Sequence, residues 1–171
     1  MGSRVPKVLY NFNVHIDGVG YAGLATEIKL PDLSYKIEEH LAGGLDHPYP
    51  INMSLESMEM TLTFAEVNGD IAKLVGIFNG GSTRIQCYGA LNDNTSQSSD
   101  PVQVTAEGNF TKYESTAWKA GEKTEEKYTF KPIVYQETIA GTKTVDIDTL
   151  NMKRVIGGTD YLEQIRSNIK L

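Results

Sequence analysis

The sequence predicts a mainly β fold: a barrel or sandwich of antiparallel strands with a short mid-chain helix, a C-terminal helix and an extended loop arm. Three observations lead there. Apolar residues recur at every second position over most of the chain, the periodicity of strands with one buried and one wetter face. Only two segments carry the i, i+3, i+4 spacing of an amphipathic helix. A stretch of residues, 32–50, breaks the alternation without becoming polar.

Taken in order, Val8, Tyr10, Phe12, Val14 and Ile16 alternate with Asn11, Asn13, His15 and Asp17, which makes a first strand ending at an Asp17-Gly18 turn. Alternation resumes through Ala22, Leu24, Ile28 and Leu30, until Pro31 removes a ladder donor. A second strand region covers residues 51–65, but Met53 and Leu55 are odd-numbered while Met58, Met60, Leu62 and Phe64 are even. A one-residue slip turns a strand over, so a bulge near Glu56-Ser57, or a strand that changes sheets, is expected. Ile71, Leu74, Val75 and Phe78 predict the mid-chain helix, with Asn68 or Asp70 as cap and Gly80-Gly81 as stop.

Further strands follow at Ile85, Cys87 and Leu91, then at Val102, Val104, Ala106 and Phe110, with a polar loop from Asn92 to Asp100 between them. Tyr128 and Phe130 precede Pro132, Ile133 and Tyr135 follow in the other phase, and Val145 and Ile147 lead to Leu150 and Met152. Leu162, Ile165 and Ile169 mark the closing helix, which Asp160 and Glu163 would open as a capping box. Six core aromatics are predicted from parity: Tyr10, Phe12, Phe64, Phe110, Tyr128 and Phe130.

At 171 residues with 40% hydrophobic and 22% charged side chains, the chain reads as one domain, residues 1–171. Folding at that size buries roughly 70% of the unfolded surface, so the core needs no disulfide staple. Cys87 is the sole cysteine, which excludes an intrachain disulfide and any Cys-based zinc spacing. Sixteen Lys+Arg against 22 Asp+Glu leave a formal charge of −6, which argues against general nucleic-acid binding. The N-terminal residues lack an apolar h-region, and no apolar run is long enough to span a bilayer, so no membrane anchor is expected.

Gly18-Val19-Gly20-Tyr21-Ala22-Gly23 matches the dinucleotide fingerprint G-x-G-x-x-G, and Glu38 follows at about the ribose-binding distance. The fingerprint needs a helix opening at the glycines, yet Leu24 to Leu30 alternates, so a glycine-rich turn between strands is the better reading. Cys87 shares the apolar parity of Ile85 and Leu91, as a buried packing residue does. His40 and His47, with Glu39 and Asp46, match no metal-ligand spacing. No convergent nucleophile, base and acid set is present, so neither catalysis nor a cofactor is expected. The Asn-x-Ser/Thr triplets at Asn52, Asn94 and Asn109 are chance matches in a chain without a secretion signal.

Two segments remain as candidate interaction surfaces. Residues 119–127 alternate in sign beside Trp118, and Trp118, Lys119, Glu122 and Lys123 form a polar strip suited to a protein partner, against the plainer reading of a solvated hairpin tip. Residues 32–50 carry Leu33, Tyr35, Ile37, Leu41, Leu45 and Tyr49, too apolar for a disordered linker and too long for an ordinary loop. Such an arm expects a partner surface, most simply a neighbouring copy.

Asn11-Phe12-Asn13, Asp17-Gly18, Tyr21-Ala22-Gly23, Leu30-Pro31 and Gly43-Gly44-Leu45 resemble the start of the major tail tube protein of contractile-tailed phages, a family shared with R-type pyocins. Gly158-Thr159-Asp160-Tyr161-Leu162-Glu163, Ile165-Arg166, Asn168-Ile169 and Leu171 resemble that family's closing helix. The resemblance implies a β-barrel-like subunit in hexameric rings that stack into a hollow tube. It also implies sheath, baseplate and tail terminator proteins as partners, DNA only as passing cargo, and a virion or tailocin particle assembled in the bacterial cytoplasm. In that family the early long loop reaches the adjacent ring, which here is the 32–50 arm. His40 and the Asp46-His47-Pro48-Tyr49-Pro50 run depart from the family pattern. The alternatives are the tube protein of a type VI secretion apparatus, which shares the fold, and a monomeric ligand-binding β-sandwich such as a carbohydrate-binding module.

Overall fold

The computed structural model describes residues 5–76, 81–93 and 98–171. Strand β1 (Val8–Ile16) turns at Asp17-Gly18 into the short β2 (Val19–Gly20). Both turn residues have positive φ, 47° and 84°, the mirror-image turn that matches strand twist and that Asp-Gly supplies at least cost. This hairpin, with Gly20 opposite His15, is what the G-x-G-x-x-G segment builds; no helix opens there.

Strands β3 (Ala25–Lys29), β4 (Tyr35–His40), β5 (Tyr49–Leu55) and β6 (Met60–Phe64) come next. The arm is therefore not an extended loop but an antiparallel hairpin of β4 and β5, a two-stranded sheet apart from the main one. The parity change after Leu55 marks a change of sheet: β5 belongs to the hairpin, while β6 pairs with β3 in the body. Helix α1 (Gly69–Leu74) starts at Asn68, whose side chain accepts from the Asp70 N–H at 3.0 Å and the Ile71 N–H at 3.4 Å. Phe78 and Gly80, expected in and after this helix, lie outside the described residues, as does Asn94 in the polar loop.

Two long strands, β8 (Asp100–Ser115) and β9 (Glu126–Ile139), organise the body. The first half of β8 pairs with β7 (Thr83–Asn92), which continues onto β1. The second half of β9 pairs with β10 (Thr142–Asp148), followed by β11 (Lys153–Ile156) and β12 (Thr159–Asp160). Beyond a bulge at Glu107/Gly108 the same two strands join a different layer, ordered β3–β6–β9–β8. Gly108 makes the bend possible, since a Cβ there would lie 2.1 Å from the Lys131 carbonyl oxygen and 2.9 Å from Pro132 Cα.

The core fills the fold between the layers, with Val14, Ile16, Met60, Leu62, Phe64, Ile71, Ile85, Ala106, Phe130 and Tyr135 buried. Tyr21, Phe64, Tyr128, Phe110 and Phe130 form a chain of edge-to-face ring pairs with centroids 5.0 to 5.9 Å apart. Cys87 lies in this core as expected, and burial pushes its thiol up to about 12.

Three expectations are corrected. Tyr10 is not a core aromatic but 81% exposed, because a bulge between Leu9 and Asn11 takes it out of the alternation. Asp160 does not open a capping box for the closing helix α2 (Glu163–Ile169): Leu162 holds the cap position without a side-chain bond. The Asp160 carboxylate instead accepts from the Leu162 N–H at 3.0 Å and the Arg166 guanidinium at 2.7 Å. Glu126, read as part of a solvated charge run, is wholly buried.

Candidate assembly surfaces

The layer β3–β6–β9–β8 has two different faces. Its inner residues, Met60, Leu62, Phe64, Tyr128 and Phe130, are core. Its outer rows read Lys29–Thr61–Thr129–Lys112 and Glu27–Thr63–Lys127–Glu114 across the four strands, with Lys131 beyond. Every residue on these rows is charged or a hydroxyl, and Lys112 pairs with Glu114 at 2.8 Å within the face.

Among the described residues both lateral edges of this layer are open. β3 pairs only with β6 among the described residues. On the other side β7 ends opposite Gly108, so residues 109–115 of β8 have β9 on one flank and no described strand on the other. Backbone donors and acceptors in an open edge are a template for another chain.

A buried ionic knot stiffens the second edge. The Glu126 carboxylate accepts from the Tyr113 hydroxyl, from the Tyr128 hydroxyl at 2.6 Å and from the Asn68 N–H at 3.1 Å. Burial alone would raise this carboxyl's pKa, but the three donors outweigh it and hold the group below the usual glutamate range. The Tyr113 phenol is pushed up, first by its bond to Glu126 and then by burial. Parity carried the signal for this knot, since Glu126 is in phase with Tyr128 and Phe130.

The structure places the arm residues along the β4–β5 hairpin and at its root. Leu33 precedes β4, and Tyr35 is half-buried at the root, where the Arg154 guanidinium lies over its ring, 5.2 Å from the centroid. Ile37, Leu41, Leu45 and Tyr49 are exposed towards and around the tip. At the root opens a groove of about 580 Å³, walled by Met53, Leu55 and Met58 on the arm side and by Ile147, Leu162 and Ile165 on the other. Helix α2 buries none of its own residues, and Ile165 is 47% exposed.

Trp118, Lys119, Glu122 and Lys123 sit in the exposed β8–β9 connection, closed by the Thr116 N–H donating to the Glu125 carbonyl at 3.1 Å. Trp118 is 78% exposed and Lys119 pairs with Glu122 at 3.3 Å. This strip is remote in sequence from the arm, and the structure does not bring the two together in one site. Among the described residues, no group of three or more His, Cys, Asp or Glu is placed to hold a metal ion.

The sequence model of the family described as phage tail tube protein FII matches residues 6–169. The chain belongs to that family. It is a structural tail tube protein, and proteins of this kind are part of the phage or injection-system particle. The tail tube protein of Escherichia phage P2 is 29% identical over 171 residues, covering 98% of this chain and 99% of that one. The major tail tube protein of Serratia phage KSP20 is 22% identical over 147 residues, 86% of this chain and 85% of that one. Among solved structures, the tail tube fold recurs in the sheath–tube complex of the extracellular contractile injection system PVC, in its extended state. The TM-score there is 0.58 at 15% identity, over 78% of this chain and 91% of that one. The tube-terminating cap of the anti-feeding prophage superposes with a TM-score of 0.61 at 14% identity, over 81% and 93% of the two chains.

Proposed function

We propose that this tail tube protein closes sideways into rings of six, the number the family resemblance implies, and that the rings stack into a hollow tube. The observation that carries this reading is the four-stranded layer with one polar face and two open edges. Joining Ala25–Lys29 of one copy to residues 109–115 of the next satisfies both edges and continues the sheet. The body of each subunit lies on the apolar side of that layer. A closed sheet with the bodies outside turns Glu27, Lys29, Thr61, Thr63, Lys112, Glu114, Lys127, Thr129 and Lys131 into the bore.

Such a bore is hydroxyl-rich and of mixed charge, with four lysines and two glutamates from each copy. Pairing of Lys29 with Asp32 and of Lys112 with Glu114 leaves two of the four lysines to meet phosphates, a weak, salt-screened contact that lets DNA pass as cargo. The hairpin arm is the contact between rings, and the Trp118–Lys123 strip is the contact for the surrounding sheath, with baseplate and tail terminator proteins meeting the tube at its ends. The work is assembly in the bacterial cytoplasm, without catalysis.

The test separates ring from stack. Replacing residues 39–50 by an Asn-Gly turn keeps Glu38 paired with Ile51 and removes the distal arm. The shortened protein is expected to remain folded and form rings that do not stack. Rods as long as those of the full chain would show that the arm is not the inter-ring contact.

A further inference from the structure

We propose that the groove at the arm root is the receptor for the arm tip of another copy, a reading that rests on the stacking proposed above. The groove is lined mainly by apolar side chains, Met53, Leu55, Met58, Leu162 and Ile165 among them, and its charged lining is Glu56 and Asp148 with Lys153 and Arg154. Arg154 lies in its lining, and the Arg154 Nε is buried with no hydrogen-bond partner among the described residues. A buried guanidinium donor without an acceptor costs stability unless a partner supplies one. The arm tip has the matching chemistry: Leu41 and Leu45 are exposed beside Glu39 and Asp46, two carboxylates with no bonded partner among the described residues.

A copy cannot fill its own groove. β5 runs from Tyr49 near the tip to Leu55 in the groove wall, and at about 3.3 Å per residue these ends stand roughly 20 Å apart. Each copy thus offers one tip and one groove on separate surfaces. A head-to-tail contact closes into a ring or propagates along an axis according to the rotation it imposes; the sheet edges already close the ring, which assigns the tip-to-groove contact to the axial direction. Leu41 and Leu45 seat against the apolar walls, a tip carboxylate reaches Arg154, and Arg154 ties the occupied groove to the root of the receiving copy's own arm through Tyr35.

Disulfide trapping tests this on the full chain. Cys87 is buried and its thiol is held protonated, so engineered cysteines report without background. Leu45→Cys with Ile165→Cys in one chain, assembled and oxidised with diamide, is expected to give a ladder of linked subunits on a non-reducing gel. Either single variant is expected to stay monomeric there. Leu41→Cys with Met152→Cys is the second pair and is expected to behave alike. Rods in the microscope with no ladder from either pair would overturn the groove while leaving the stacking intact. Linked dimers from a single variant would also overturn it, because tip would then meet tip or helix meet helix. A wild-type chain that forms no rods would remove the stacking and the groove's occupant together.

Discussion

The Tyr128 hydroxyl donates to the buried Glu126 carboxylate at 2.6 Å, two residues along the same strand. Tyr113 reaches the same carboxylate from the open end of β8, and the Asn68 N–H reaches it from the start of α1. One ionised group therefore joins the proposed lateral edge, the central strand and the helix cap. Removing it by Glu126→Ala leaves three donors facing no acceptor. The expected loss is about 2–3 kcal/mol, read as a lower urea midpoint with an unchanged slope.

The same group gives the fold an acid limit. Glu126 and Asp146 both titrate below their ordinary range; for each, burial opposes the shift and the donors around the carboxylate outweigh it. Asp146 is held by Lys153 at 2.7 Å, Gln136 at 3.0 Å and Lys143 at 3.2 Å. The unfolded chain takes up these protons first as pH falls. Stability is then complete above roughly pH 5.5 and is lost as pH drops through the depressed folded values. Thermal melts from pH 7 to pH 3 are expected to fall along this limb, and Glu126→Gln to give a lower start and a shallower descent.

Gly108 is expected to be the least replaceable glycine in the body. Its missing Cβ leaves room for the Lys131 carbonyl, a backbone atom that cannot move without breaking the β8–β9 ladder. Gly108→Ala is expected to cost about 3 kcal/mol or more, or to yield insoluble protein. Stability within about 0.5 kcal/mol of wild type would show that the bend does not depend on that approach.

The Arg154–Tyr35 ring contact is expected to help hold the arm at its root, where Leu55 also packs against the core. Tyr35→Ala removes the face that Arg154 covers, an interaction worth about 0.5–2 kcal/mol. Amide exchange in residues 35–55 should accelerate while the body keeps its protection. Equal acceleration throughout would place Tyr35 in the global fold.

How legible this was depended on whether the information was local. Asp17-Gly18, the alternation of Val14 and Ile16, the Asn68 cap and the Leu162–Ile165–Ile169 spacing are short-range signals, and each marked its element. The parity change after Leu55 was readable as a break, but not as the root of a hairpin, because β4 and β5 pair across an intervening apolar turn. Tyr10 misled because a bulge depends on the partner strand β7, which lies far along the chain. Glu126 misled for the reverse reason: its neighbours Glu125 and Lys127 are exposed, while the donors that make its burial tolerable come from three separate elements. The polar layer and its open edges were illegible, since they exist only after β8 and β9 bend at Gly108.

Copies of this chain are expected to join into rings that stack as a tube. Negative-stain microscopy of the purified full chain at rising concentration tests it most directly. Rings giving way to hollow rods of constant diameter are the expected result, and particles that stay single subunits at the highest soluble concentration would contradict it.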